Sequence, residues 1–231
     1  MTTARRLTAE ALGSAFLLAA VVGSGIMGER LAQGNAALTL LVNTLATGTA
    51  LTVLILTFGP ISGAHFNPVV SLAECIRGRL DRRELPGYLS AQFLGAIAGV
   101  AAAHLMFNEP LFSAAQHIRS GPAQWWSEFV ATFGLLAVIQ GVAHTRPGLV
   151  AVAVGGYITA AYWFTASTSF ANPAVTLART LTDSFSGIRP ADAPAFIVAQ
   201  IMGAVAATLL FRWLQDQPVV ADIEDKSLPD K

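Results

Sequence analysis

Charge is what this chain carries least of. Only 12% of its 231 residues are Asp, Glu, Lys or Arg, against about 25% in an ordinary soluble domain. That shortage excludes a protein with much water-facing mass. The formal net charge is zero, so the basic excess that attracts nucleic acid is missing and no such partner is expected. A single cysteine, Cys75, rules out an internal disulfide. A lone thiol reads as a small residue in a packed segment rather than a metal or redox group. The four histidines are dispersed, and no His-Glu-x-x-His, Gly-x-Ser-x-Gly or Cys-x-x-Cys pattern occurs. Neither a metal site, a cofactor nor a nucleophile–base pair is expected, and therefore not an enzyme. What the chain has instead is apolar: 54% hydrophobic residues and a mean hydropathy of +0.57.

The apolar residues are grouped. Six segments, residues 7–27, 37–58, 87–107, 124–142, 148–165 and 194–214, approach the ~20 residues a helix needs to cross a bilayer. A helix satisfies its own backbone in lipid, so the expected class is all-α integral membrane. Arg5-Arg6 ahead of the first segment imitates a signal peptide. Glu10 opens that run, however, and the segment recurs later in the chain, so it reads as a retained helix. Ten Lys and Arg (Arg5, Arg6, Arg77, Arg79, Arg82, Arg83, Arg146, Arg212, Lys226, Lys231) fall at the termini and in even-numbered loops. Four (Arg30, Arg119, Arg179, Arg189) fall in odd-numbered loops. The bias predicts a multi-pass protein of the cell inner (plasma) membrane with both termini cytoplasmic, and a mobile cytoplasmic tail over 215–231.

Two stretches follow the second and fifth segments and are too short to cross: Ser62-Gly63-Ala64-His65-Phe66-Asn67-Pro68-Val69 and Ser167-Thr168-Ser169-Phe170-Ala171-Asn172-Pro173-Ala174. Asn is a good N-cap and Pro suits the first helical position. Each stretch therefore predicts a re-entrant helix of roughly ten residues, or about 15 Å, half the hydrocarbon core. The halves also match elsewhere. Ala9-Glu10-Ala11-Leu12-Gly13 echoes Ser127-Glu128-Phe129-Val130-Ala131, and Ala91-Gln92-Phe93-Leu94-Gly95-Ala96 echoes Ala199-Gln200-Ile201-Met202-Gly203-Ala204. The repeats cover 7–107 and 124–214. Three crossings per half put the second half in upside down, an inverted repeat with its site near the midplane. Both half-helices then start deep, with both positive dipole ends facing the centre. Cations are repelled there, while the Asn67 and Asn172 amides can donate to a neutral solute.

The paired Asn-Pro motifs, Ser-Gly-x-His-Phe and the Glu-led first and fourth helices resemble the major intrinsic protein family, the aquaporins and aquaglyceroporins. The resemblance covers residues ~7–214 of a single membrane channel domain, 1–231. It implies an aquaporin-like right-handed bundle of six transmembrane helices plus two half-helices, with a pore in each protomer of a homotetramer in the lipid bilayer. By the same resemblance Asn67, Pro68, Val69 and Asn172, Pro173, Ala174 surround the pore centre. Glu10 and Glu128 accept hydrogen bonds from the re-entrant loops, the alternative being helix-end residues at the interface. His65 lines the cytoplasmic vestibule, the alternative being a satisfied loop histidine. Gly13, Gly48, Gly95, Gly99, Gly134 and Gly203 suit close helix packing.

The sequence departs from the family where the family has Arg after the second Asn-Pro-Ala: here stands Val175. Counting from the Asn-Pro motifs gives Thr47, Ala160 and Ser169 as the other constriction positions, with Thr159 or Gly156 in place of Ala160 if there is a gap. These four predict a wide, weakly polar, uncharged opening. Arg179, one turn after Val175, and Arg119, in the loop between the third and fourth crossings, are the two residues able to replace the missing charge. Val69, where the family has Ala, is expected to narrow the centre. Thr176 stands where glycerol facilitators of the family usually show Asp. The resulting expectation is a passive channel for small neutral solutes (glycerol, small polyols, urea, metalloid hydroxides such as arsenous acid) that also passes water. The alternative is a water-dominated aquaporin. A coupled secondary transporter is disfavoured, because no coupling carboxylate is evident near Asn67 or Asn172.

Overall fold

Helix follows from the long apolar runs, and in the computed structural model, which describes residues 1–215, most of the runs extend beyond their apolar limits. In chain order the α-helices are α1 (Thr3–Ala32), α2 (Ala36–Ser62), α3 (Pro68–Ile76), α4 (Leu85–Phe107), α5 (Pro122–Thr145), α6 (Val150–Phe164), α7 (Pro173–Ala178) and α8 (Ala193–Gln215). Three 3₁₀ turns, Pro147–Leu149, Arg179–Leu181 and Pro190–Asp192, precede α6, follow α7 and precede α8. Six helical stretches, counted with the turns that lead into α6 and α8, are long and apolar enough to cross a membrane. α1, with 30 residues, is about 45 Å long and carries Glu29 and Arg30 beyond its apolar run; Arg30 pairs there with Glu109 at 2.8 Å. Gln215, assigned from sequence to the tail, is helical and its Nε2 donates to Gln140 O at 2.9 Å. The rest of the expected tail, 216–231, lies outside the described residues.

α3 and α7 are the half-helices. Asn67 Oδ1 accepts from Val69 N at 3.1 Å. Asn172 Oδ1 accepts from Ala174 N at 2.9 Å and Val175 N at 3.2 Å. Both are the side-chain caps that the Asn-Pro signal predicts. α7 has six residues, fewer than expected. The 3₁₀ turn Arg179–Leu181 extends it, and at about 2.0 Å per 3₁₀ residue the two together still reach about 15 Å.

α1 packs on α2 and α4, α5 packs on α6 and α8, and α2 meets α6 across the halves. Glycine permits the closest approaches. A Cβ on Gly95 would lie 2.2 Å from Ala11 O, one on Gly99 2.2 Å from Ala15 O, and one on Gly203 2.4 Å from Phe129 O. Gly13 faces the Phe66 ring, Gly48 faces Thr159 and Gly134 faces Tyr157. All six glycines assigned to helix packing thus sit at close contacts. A backbone oxygen cannot yield as a side chain can. Gly95→Val is therefore expected to lower the detergent-solubilised unfolding temperature by several degrees, while Gly156→Ala, which meets nothing within 4 Å, leaves it unchanged.

The half-helices are exchanged between the cores. α7 residues Ala174, Val175 and Ala178 pack in the cluster built by α1 and α4 around Leu18, Val22 and Val100. α3 residues Val69, Val70 and Ala73 pack in the cluster built by α5, α6 and α8 around Leu136, Ile158 and Ala207. Each half therefore needs the other to complete its core.

Candidate functional site

The two loops that lead into α3 and α7 carry matching irregular backbones. Ala64 and Phe66 in the first, and Ser169 and Ala171 in the second, have φ between 48° and 52°. These are the third and first residues before each Asn, in a left-handed region that costs a non-glycine residue of order 1 kcal/mol or more. Two buried carboxylates hold this shape. Glu10 Oε1 accepts from His65 N at 3.0 Å and Ser62 Oγ at 2.6 Å, and its Oε2 accepts from Phe66 N at 2.7 Å and Gln92 Nε2 at 2.8 Å. Glu128 accepts from Phe170 N and Ala171 N, each at 2.9 Å, and from Gln200 Nε2 at 2.6 Å. Both are fully buried, and their full sets of donors explain how a charge is tolerated there.

Gln92 and Gln200 escaped the sequence assignment of roles. Each bridges its Glu to a hydroxyl on the half-helix of its own half, Ser71 or Thr176, at 2.8 Å. The signal was present: both glutamines fall at the same place in the repeat. Glu128→Gln replaces an acceptor pair with an amide whose NH₂ faces N–H donors. Lost charged hydrogen bonds are worth ~1.5–3 kcal/mol each, so the variant is expected to unfold at least 5 °C lower in detergent, read by thermal denaturation.

The loops also bond to each other at the centre. Asn67 Nδ2 donates to Ala171 O and Asn172 Nδ2 to Phe66 O, both at 2.8 Å. Each amide has two N–H groups, so one remains for a solute. Two cavities meet this junction. The proximal one, on the side of the chain ends, has about 230 Å³ and is lined by Gly63, His65, Asn67, Val70, Glu74 and Arg79 among others. The distal one has about 50 Å³, and its lining includes the polar Thr47, Asn67, Tyr162, Ser169 and Arg179. Leu17, Val21, Leu51, Leu135, Ile158 and Val175 are apolar residues of the same lining. Asn67 borders both cavities.

Comparison with known proteins agrees with this layout. The major intrinsic protein family model matches residues 1–149 and 143–230. The chain belongs to the major intrinsic protein family. It is 54% identical over 227 residues to aquaglyceroporin AqpS of Rhizobium meliloti (strain 1021), covering 97% of each chain. It is 33% identical to the probable aquaporin AqpM of Archaeoglobus fulgidus, covering 93% of this chain and 98% of that one. The fold is that of the Plasmodium falciparum aquaglyceroporin crystal structure, with a TM-score of 0.71 at 22% identity over 91% of this chain and 96% of that one. As a family member the chain is a multi-pass membrane channel for water and small solutes, not an enzyme.

Five residues assigned to the channel from sequence, Asn67, His65, Thr47, Ser169 and Val175, border the two cavities. His65 borders the proximal cavity, with its Nδ1 3.0 Å from Ser71 Oγ. Thr47, Ser169 and Val175 border the distal cavity. Pro68, Pro173 and Ala174 are buried at the half-helix starts. Asn172 is as buried as Asn67, 5% exposed, but is not among the residues lining either cavity.

Three expectations need correction. Ala160 is exposed on the outer face of α6. The residues that face the distal cavity are Ile158 and Tyr162, and Tyr162 Oη donates to Thr47 Oγ1 at 3.2 Å. At 100° per residue, 158 and 162 share a face and 160 points away. Neither alternative replaces it: Thr159 Oγ1 donates to Gly155 O, and Gly156 is exposed. Val69 is buried in the exchanged core, and Val70 borders the proximal cavity. The distal cavity is also not uncharged, because Arg179 lines it.

Proposed function

We propose that this channel conducts small neutral solutes with several hydroxyl or amide groups (glycerol, small polyols, urea and metalloid hydroxides such as arsenous acid) together with water. The observation that carries the reading is the distal cavity. With Val175 adding no donors beside Arg179, the lining combines apolar side chains with the polar Thr47, Tyr162, Ser169 and Asn67. A solute with a CH edge and a hydroxyl edge finds both apolar contact and hydrogen-bond partners in that passage. The aquaglyceroporin name of the rhizobial relative supports the same solute class. A water-dominated channel is the second reading, favoured by the small volume of about 50 Å³.

The ten-to-four distribution of Lys and Arg supports cytoplasmic termini in an inner membrane. Side chains such as Leu45, Leu94, Trp163 and Val198, all exposed, suit a lipid-embedded homotetramer. Repeats over 7–107 and 124–214 agree with the pairing of α1 with α4 and α5 with α8. A permeability panel on purified protein in liposomes tests the solute class. Glycerol, urea and arsenous acid fluxes are expected well above those of empty vesicles. If water alone is accelerated, the water-dominated reading replaces this one.

A further inference from the structure

Two arginines converge on one aromatic ring beside the distal cavity. The Arg179 guanidinium carbon lies 3.4 Å from the Phe170 ring centroid and that of Arg119 lies 5.1 Å from it. Their environments differ. Arg119 spends its donors on the loops: Nε on Gly187 O at 2.9 Å, Nη1 on Ser167 O and Thr168 Oγ1 at 3.3 and 3.4 Å, and Nη2 on Phe185 O at 3.2 Å. It does not line the cavity. It is a brace. Arg179 is 1% exposed, and only its Nε has a protein acceptor among the described residues, the carbonyl of Ser186. Buried as it is, it lines the distal cavity. Among the described residues no carboxylate pairs with either Arg119 or Arg179. A buried guanidinium is costly unless its donors are used. Here the available partner is whatever passes through the cavity that Arg179 lines.

We infer that Arg179 is the selectivity arginine of this channel, moved one turn along from the position of Val175. Seated over the Phe170 ring, it presents two Nη donors and an uncompensated positive charge to the distal passage. It hydrogen-bonds the oxygen atoms of a passing solute and repels cations. Val175 adds an apolar side chain to the same passage. The channel thus combines an apolar residue after the second Asn-Pro-Ala with a charged filter. The inference deepens the solute reading above, which rests on the same cavity.

The test uses full-length Arg179→Gln, Arg179→Met and Arg179→Lys chains in liposomes, each first shown by size exclusion to assemble like the parent. Arg179→Met keeps length and packing on Phe170, so it stands in if Arg179→Gln does not assemble. K⁺ leak, read with a voltage-sensitive dye, is expected to rise at least tenfold in the Gln and Met variants. Arg179→Lys is expected to keep K⁺ excluded while changing the glycerol-to-water permeability ratio by threefold or more. An assembled Gln or Met variant that leaks no more K⁺ than the parent overturns the inference, as does an Arg179→Lys chain that leaks as they do. The parent's own glycerol flux is the separate control: if it is nil, the solute proposal falls, while the role of Arg179 is still read from the leak.

Discussion

Val175→Arg is expected to cut glycerol and arsenous acid permeability at least tenfold while reducing water permeability no more than about threefold. Val175 borders a passage of about 50 Å³ that Arg179 already lines. The Phe170 ring already carries Arg179 at 3.4 Å and Arg119 at 5.1 Å, which leaves no place for a third guanidinium. Like charges repel, so the new arm projects into the lumen instead. Water slips past and accepts from it, whereas a solute with a carbon frame meets it sterically. A tenfold loss corresponds to about 1.4 kcal/mol of added barrier, modest for lost clearance in a packed wall. Stopped-flow light scattering on one set of vesicles measures all three fluxes. Equal losses for all three solutes would indicate blockage or misfolding and remove Val175 from the account of selectivity.

The second large effect is expected at the junction. Asn67→Asp should raise proton or K⁺ leak roughly thirtyfold. Asn67 borders both cavities and sits where two helix N-termini, each worth about half a positive charge, face each other. A carboxylate ~8 Å from a passing cation, at an effective dielectric of ~20, contributes about 2 kcal/mol of attraction. Asn67→Ala loses the same bond to Ala171 O without adding charge, and should not leak. Asn172→Asp, whose side chain lines neither cavity, should leak less than Asn67→Asp. If the Ala and Asp variants at 67 leak alike, the effect is loop damage, not electrostatics.

What could be read from the sequence followed the range of each signal. The Asn-Pro caps are local, acting within three residues, so the starts of α3 and α7 were legible. The roles of Glu10 and Glu128 were legible through the family resemblance, and the repeat places the two at matching positions. Gln92 and Gln200 satisfied the same criterion but lacked a charge to mark them. The phase of α6 was not legible. Counting back from Asn172 assumes a fixed loop, and the stretch after Phe164 has left-handed turns at Thr168, Ser169 and Ala171 that alter the register, leaving Tyr162 inward and Ala160 outward. The exchange of half-helices between cores, and the folding of Arg179 onto Phe170, are tertiary events that no periodicity encodes. Val175 and Arg179, four apart, do line the same cavity, as the spacing indicates.

The conduit proposed through the Asn67–Asn172 junction is expected to pass uncharged molecules and no ions. The direct measurement is glycerol-driven swelling of vesicles holding the unmodified protein, recorded together with membrane voltage under an imposed K⁺ gradient. Fast, non-saturating swelling at constant voltage is the predicted result. A K⁺ diffusion potential appearing with the protein, or glycerol entry that saturates and follows a proton gradient, would contradict it.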